Sequence, residues 1–279
     1  MIASVVIPAH DEAQVIGATL RSLLDRAGAG RLEVVVVCNG CTDDTAEVAR
    51  GFDGVRVIEI AEPSKAQATA VGNRAATVFP RIHLDADVMI SGADAIALAR
   101  AVRGGVHAAA PARLVPLRDS SWPVRSYYRV WEQLPQVRDG LFGRGVVALS
   151  EEGQSRVDSL PRVMSDDLAF SDAFAESERR VVADATVVVH PPRTTADLLR
   201  RRVRVVTGNA QASDLGIRRR SSVTTPSVLL RMALRDPRIG LRMPVFLGIV
   251  LVARRNSRRA VRSGDYTTWL RDESSRARP

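Results

Sequence analysis

The stretch IHLDADV, residues 82–88, decides the fold of this chain of 279 residues. Its first residues are apolar, and two acids, Asp85 and Asp87, follow one residue apart. The apolar residues predict the end of a buried strand. Ligands of open α/β sheets bind outside the carboxyl ends of the strands, so both acids are expected at a ligand site. Two adjacent carboxylates repel each other unless a cation lies between them, and their oxygens suit Mg²⁺ or Mn²⁺.

A regular alternation of strands and helices leads up to this stretch. The run at 33–38 is continuously apolar after its first residue, which is typical of a strand covered on both faces. The predicted strands are 4–8, 33–38, 55–60 and 81–84, and the predicted helices between them are 13–26, 42–50 and 66–78. This order predicts an α/β fold with a mostly parallel, doubly wound sheet and helices on both faces.

The charge of the chain is distributed unevenly. Residues 1–192 contain 20 basic and 25 acidic side chains, whereas residues 193–279 contain 20 basic and 6 acidic ones. We expect residues 1–110 and 111–210 to be the two halves of one domain, and residues 211–279 to be a basic, helical C-terminal extension. An excess of arginine at one end of a chain favours an anionic partner.

The longest apolar run, residues 243–253, lies inside this extension and has arginines on both sides. Eleven residues are too few to span a bilayer. The run is therefore expected either to lie in an anionic membrane surface, to pack on the body of the protein, or to form a homodimer contact. The sequence alone leaves these alternatives and the oligomeric state open.

The two cysteines, Cys38 and Cys41, have CxxC spacing, but no second cysteine pair completes a zinc site. We interpret them as small, partly buried thiols. The first residues run directly into a strand without a basic leader segment. We therefore expect no signal peptide and a cytoplasmic location, with the inner face of the cell membrane as the peripheral alternative.

Five sequence elements stand in one order along about the first 210 residues, and they are PAHDE (8–12), NGCTDDT (39–45), Lys65, Asp85 with Asp87, and Asp166 with Asp167. In combination they resemble the family 2 glycosyltransferases of the GT-A fold. The resemblance implies a metal-dependent, inverting and non-processive transferase that takes a sugar from a nucleotide-sugar donor. Residues 1–110 would then bind the donor and residues 111–210 the acceptor.

The resemblance also implies how the donor is bound. Asn39 replaces the family's acid that accepts a hydrogen bond from the uracil imide N–H group, and an amide oxygen can still accept that bond. Uracil or thymine therefore fits the resemblance, and a UDP-sugar is the favoured donor. Lys65 falls near the donor phosphates, where a compact ammonium at a helix start suits a diphosphate. The implied donor-binding residues are Pro8, Ala9, Glu12, Asn39, Asp43, Lys65, Asp85, Arg201 and Arg204.

Metal, catalytic and acceptor roles follow from the same resemblance. Asp85 and Asp87 match the family's metal-binding pair, His190 stands where a late histidine often lies near the metal, and Asp167 stands where the family has its catalytic base. The implied acceptor-binding residues are Gly143, Arg144, Gly145, Asp166 and Trp131. Each has a plainer alternative: a helix cap for the second acid pair, a turn for the glycines, a structural role for His190 and a core position for Trp131.

Other classes of protein fit less well. The first strand is not followed by the glycine fingerprint of a dinucleotide oxidoreductase or by the glycine-rich loop of a nucleotidyltransferase. The acidic body and the lack of a recognition motif argue against nucleic acid as a partner. The expected acceptor is a glycan or a lipid-linked molecule of cell-envelope polysaccharide synthesis. The remaining alternative is a non-catalytic GT-A protein that binds a membrane surface or a partner enzyme.

Overall fold

The computed structural model describes residues 1–25, 27–28, 30–161, 166–216 and 223–262. The strands are β1 (Ala3–Ala9), β2 (Leu32–Asn39), β3 (Val55–Ile60), β4 (Arg81–Leu84), β5 (Ala108–Leu114), β6 (Val146–Leu149) and β7 (Arg179–Val188). The helices are α1 (Ala13–Leu24), α2 (Thr45–Arg50), α3 (Lys65–Ala75), α4 (Gly92–Ala101), α5 (Trp122–Trp131), α6 (Pro135–Asp139), α7 (Glu151–Asp158), α8 (Asp166–Asp172), α9 (Thr195–Asp214), α10 (Pro226–Arg235) and α11 (Pro237–Arg262). A 3₁₀ turn, Glu176–Glu178, precedes β7.

The strands in the described part of the chain form one sheet with the order β3-β2-β1-β4-β6-β5-β7. β3, β2, β1 and β4 are parallel to one another, and β7 is parallel to β5. β6 runs antiparallel to both of its neighbours, β4 and β5. The predicted α/β class and the mostly parallel sheet are confirmed. The local sequence pattern does not indicate the antiparallel direction of β6.

The two faces of the sheet are buried against different helices. Alternate residues of β1 and β2 contribute to two apolar clusters, because successive side chains of a strand point to opposite faces. One cluster contains Val5, Ile7, Val34 and Val36, and it includes residues of α1, α2 and α4. The other contains Val6, Val35 and Val37 together with Ala68 of α3. Burial on both faces explains the continuous apolar run that forms β2.

The chain divides into two compact units, each built from separate segments. The first unit contains residues 1–114, 143–160 and 174–189, and therefore the whole sheet. The second contains residues 115–142, 161–173 and 190–279. The predicted division into residues 1–110, 111–210 and 211–279 is not tested by these boundaries and stays a prediction.

The second unit is helical in the part that the structure describes, and its core lies between α5, α9 and α11. Tyr127 of α5 stacks on Phe246 of α11 with ring centroids 5.1 Å apart, and Tyr127 meets Tyr128 edge to face. These rings supply large buried surfaces to a small core. Among the described helices, none combines the length and the apolar character that crossing a membrane requires.

Gly92 permits α4 to pack closely on the end of α1. A Cβ atom at this position would lie 2.4 Å from the Leu23 carbonyl oxygen and 2.5 Å from the Ala27 Cβ. Both distances are far shorter than van der Waals contact, and a backbone carbonyl cannot rotate away as a side chain can. Only glycine fits between these two helices without moving one of them.

We therefore predict that Gly92→Ala lowers the free energy of unfolding by about 1–3 kcal/mol, the usual cost of overpacking. Gly248→Ala is the matched control, because this glycine also lies in a helix but a Cβ there would have no neighbouring atom within 4 Å. The control should be neutral or stabilising by up to about 1 kcal/mol. Urea unfolding of the three proteins measures both effects, and equal stabilities of Gly92→Ala and wild type would contradict the prediction.

Candidate functional site

The acid pair lies directly beyond the carboxyl end of β4, beside the centre of the sheet. Between the two acids, Ala86 is buried, and its carbonyl accepts a hydrogen bond of 2.8 Å from the Thr19 hydroxyl. Asp87 is exposed and Asp85 is partly exposed. Ala86 therefore anchors the segment to the core while the flanking carboxylates remain accessible to a ligand.

Lys65 begins α3 and reaches the acid pair. Its Nζ lies 2.9 Å from Asp85 Oδ1, and the two side chains are 38% and 40% exposed. Ser64 caps the helix by accepting a hydrogen bond from the Gln67 N–H group. The start of an eleven-residue helix and a lysine together create positive potential beside the carboxylates. This corner of the first unit can thus accommodate both a cation and an anion.

The residues present fit a divalent ion such as Mn²⁺ or Mg²⁺. Asp85 and Asp87 offer hard carboxylate oxygens that solvent can reach, which are the donors these ions prefer. Lys65 already places one positive charge against Asp85. Asp85 and Asp87 are the residues that would hold the ion.

A glycine loop before β6 packs against the first of these acids, Asp85. Gly143 and Gly145 both have positive φ, 67° and 66°, a conformation that glycine adopts without strain. The Asp85 N–H group donates to the Gly145 carbonyl at 2.8 Å. A Cβ on Gly145 would lie 2.4 Å from Val88 Cγ2 and 3.0 Å from Asp85 Oδ2. The loop therefore supports the position of Asp85.

Arg144 holds this loop in place from inside the protein. Its side chain is only 2% exposed, and Nε donates to the Pro111 carbonyl oxygen at 2.7 Å. Arg113 donates in turn to the Gly143 carbonyl oxygen at 3.3 Å. The contact of Arg144 is structural, and its role as an acceptor ligand, like that of Gly143 and Gly145, stays a prediction.

The ends of β1 and β2 meet at the neighbouring corner of the sheet. Asn39 is buried, and its Nδ2 donates to the Ala9 carbonyl oxygen at 2.6 Å. The His10 Nδ1–H group donates to the Asn39 carbonyl oxygen at 2.7 Å. Because the amide nitrogen is oriented toward Ala9, Oδ1 is the side-chain atom of Asn39 that can accept a hydrogen bond from a ligand.

Asp43 connects the turn after β2 to the start of α1. It accepts hydrogen bonds from the Ala13 N–H group at 3.1 Å and from both the N–H and hydroxyl groups of Thr45. Partial burial would raise the pKa of Asp43, but these hydrogen bonds hold it below its ordinary value. The Thr45 hydroxyl also accepts from the N–H group of Glu12, a buried residue. The donor-binding roles of Pro8, Ala9, Glu12 and Asp43 stay predictions.

A second group of metal-ligand types was missed at the level of sequence. One candidate ligand atom each from His10, Asp11 and Cys41 lie within 4.8 Å of one another. Asp11 has a φ of 50° and accepts the Thr42 N–H group at 2.7 Å, which brings the two loops together. The signal was a His-Asp pair after one strand and a cysteine after its parallel neighbour. A thiol and an imidazole suit softer ions than the acid pair does.

The remaining predicted residues belong to the second unit. Arg201 Nη1 donates to the His190 carbonyl oxygen at 3.4 Å, so these two residues are neighbours. Trp131 packs edge to face on Tyr128, with centroids 5.4 Å apart, next to the core of α5. Arg204 lies within α9. The roles of these residues at the metal, the donor or the acceptor stay predictions.

Asp166 and Asp167 are the first residues of α8. Their side chains lie outside the part of the chain that the structure describes, as do residues 263–279 of the predicted extension. The assignment of Asp167 as catalytic base and of Asp166 as acceptor ligand therefore depends on their place in the sequence.

Comparison with known proteins identifies the class of this protein. Residues 4–141 match the family model described as Glycosyl transferase family 2. A mannosyltransferase from Pyrobaculum calidifontis in complex with GDP-Man and Mn²⁺ is similar with a TM-score of 0.60 and 19% identity, over 96% of this chain and 76% of that chain. A glucosyl-3-phosphoglycerate synthase from Mycobacterium tuberculosis, in complex with Mn²⁺, UDP and glucosyl-3-phosphoglycerate, has a TM-score of 0.52 and 19% identity, over 78% and 81% of the two chains. A comparison with curated proteins gave no match.

The sheet with helices on both faces, and its likeness to these structures, define a GT-A fold. The chain belongs to glycosyltransferase family 2 and is a glycosyltransferase. The family, the fold and the class of enzyme that the sequence elements imply are thereby confirmed.

We predict that Gly145→Ala displaces Asp85 and weakens metal-dependent ligand binding while the protein still folds. The added Cβ would collide with Val88 and Asp85 and would also have to adopt a positive φ. Gly104→Ala is the matched control, since this glycine has a φ of 60° but open space around it. Both variants carry the same backbone strain of about 1 kcal/mol, so only Gly145→Ala should lose affinity for Mn²⁺ by calorimetry. Equal losses in the two variants would contradict the prediction.

Proposed function

We propose that this glycosyltransferase moves a sugar from a nucleoside-diphosphate sugar, with UDP as the favoured nucleotide, to a hydroxyl of a glycan or lipid-linked acceptor. The observation that carries the proposal is the contact of Lys65 with Asp85 at the start of α3, beside a second exposed carboxylate. Cation and anion sites in direct contact suit a metal-bound diphosphate. Two structurally similar enzymes were solved with nucleotides and Mn²⁺, which supports the same ligand class here.

The diphosphate of the donor would lie against Lys65 and the first turn of α3, because N–H groups and an ammonium favour an anion there. Asp85 and Asp87 would hold the divalent ion, which when bound neutralises charge on the departing nucleoside diphosphate. Arg201 and Arg204 would add charge-assisted hydrogen bonds to the same group. His190 would complete the metal site.

The base of the donor would lie at the ends of β1 and β2, in a site lined by Pro8, Ala9 and Glu12. Asn39 Oδ1 would accept the imide N–H group of uracil, since its Nδ2 already donates to Ala9. This neutral acceptor replaces a carboxylate and keeps the direction of the hydrogen bond. UDP is therefore favoured, and GDP, which one similar enzyme binds as GDP-Man, is the alternative to test.

Asp167 would remove the proton from the attacking acceptor hydroxyl, and attack from the face opposite the leaving group would invert the anomeric centre. Asp166, Gly143, Arg144, Gly145 and Trp131 would position the acceptor. Orientation of the hydroxyl and exclusion of water matter because water competes for the same sugar. A non-catalytic protein that binds the nucleotide without turnover is the alternative function.

The first test is a thermal-shift panel of UDP, GDP, TDP and UDP-sugars with Mn²⁺ or with EDTA. We expect stabilisation of a few degrees by UDP ligands with Mn²⁺, as mass action requires for a ligand of the native state. Asp87→Asn should abolish it, whereas Asp53→Asn, at an exposed turn, should not. Cys41→Ser tests the His10, Asp11 and Cys41 group and should keep the Mn²⁺ effect. No shift with any nucleotide would refute the proposed donor class.

The second test concerns Asp167. When water replaces the acceptor, the enzyme hydrolyses the donor, and NMR at early times should detect the sugar anomer opposite to that of the donor. Asp167→Asn should lower the transfer rate by about 10²–10⁴-fold, the usual contribution of a general base. Nucleotide affinity should stay unchanged. Asp139→Asn, another acid of the second unit, serves as the control. Retention of configuration would rule out inversion, and unchanged turnover in Asp167→Asn would rule out the assigned base.

A further inference from the structure

The outer face of α11 carries large apolar side chains that no described residue covers. The inner face of this helix is formed by Ile239, Met243, Phe246, Ile249 and Ala253, which are buried in the helical core. On the opposite face, Leu241 is 84% exposed and Leu251 is 63% exposed, and Leu247 and Val252 are exposed as well. A helix that packs with one apolar face normally presents polar residues on the other. This helix presents leucines instead.

The neighbouring helix α10 repeats the arrangement. Leu230 is 62% exposed and Leu234 is 75% exposed, and the arginines that follow each of them, Arg231 and Arg235, are exposed too. α10 packs on α11 within the second unit. We name the exposed side chains of both helices, including the arginines described next, the arginine–leucine face. Exposed apolar residues of this density on a soluble surface indicate an interaction site.

Arginines surround the apolar residues of this face. The exposed Arg238 precedes the apolar stretch of α11, and the exposed Arg254, Arg255 and Arg258 follow it. Among residues 223–262 the sequence contains nine arginines and one acid, Asp236. The partner must therefore offer negative charge and an apolar interior together. An anionic lipid bilayer has both, whereas nucleic acid offers the charge but no apolar phase for exposed leucines.

We propose that the arginine–leucine face docks the protein onto an anionic lipid bilayer. The helices would lie along the surface, with the leucines at the boundary between the lipid headgroups and the acyl chains and the arginines at the phosphates. Lipid charge attracts the arginines and apolar burial retains the leucines. The proposal does not depend on the donor, acceptor or stereochemistry proposed above, because it concerns helices α10 and α11 alone.

The test is sedimentation of the full chain with vesicles of phosphatidylcholine, with or without about one third phosphatidylglycerol. We expect binding only to the anionic vesicles, and weaker binding at high salt because salt screens the arginines. Leu241→Glu and Leu251→Glu should each reduce binding by about tenfold or more, since each replaces an anchoring apolar side chain by a carboxylate that the anionic lipid repels. Both positions are exposed, so circular dichroism should show an unchanged fold.

The matched control is Leu114→Glu, at a leucine of similar exposure, 59%, in the first unit. It makes the same change of charge outside the arginine–leucine face and should bind vesicles as wild type does. Wild type that fails to bind anionic vesicles overturns the proposal, and so does Leu241→Glu that binds as wild type does.

Two further outcomes would assign the face to another occupant. If wild type forms a dimer in solution, Leu241→Glu forms a monomer, and neither binds vesicles, the face is a contact between two copies of the chain. Binding to duplex DNA without binding to vesicles would assign the arginines to nucleic acid. Each result overturns membrane docking and names the alternative, because the same variants are measured in all three assays.

Discussion

The antiparallel pairing of β6 with β4 is the constraint on which the candidate site depends. Leu84 pairs with Val146, and the register continues beyond the strands, where the Asp85 N–H group binds the Gly145 carbonyl. In an antiparallel pair the start of one strand meets the end of the other. The glycine loop that precedes β6 is therefore brought against the acid that follows β4. Parallel pairing would place the start of β6 at the opposite edge of the sheet.

Burial of the sheet on both faces explains why polar groups collect at the strand ends. Val5 and Val6 lie in different apolar clusters, so neither face of β1 is left for a charged side chain. A charge buried without a partner is costly, and ionisable residues are tolerated where solvent or a counter-ion reaches them. Lys65 meets Asp85 at such a place, because the start of α3 and the end of β4 lie at the same edge. The fold thus creates a charged edge beside an apolar interior.

Much of the fold and part of the site could be predicted from local patterns. The run 34–38 within β2 is continuously apolar, strands alternate with helices up to β4, and the acid pair follows β4 directly. These local patterns were sufficient to predict the parallel part of the sheet and the position of the acids. The position of Lys65 at a helix start was also local information. The inward direction of the Arg144 side chain could not be predicted from local patterns. It depends on the Pro111 carbonyl of β5, to which Nε donates a hydrogen bond. The group of His10, Asp11 and Cys41 needed the parallel register of β1 and β2 as well.

The sequence by itself determined the class of fold, the family and the kind of chemistry, because these follow from short motifs and from hydrophobic periods within single elements. The tertiary structure decided which atoms those motifs present. It turned the Asn39 amide nitrogen toward Ala9, set Gly145 against Asp85, and left the leucines of α11 outside the core that covers Phe246. The physical reason is that hydrogen-bond direction and burial depend on neighbours distant in the chain, which no local pattern specifies.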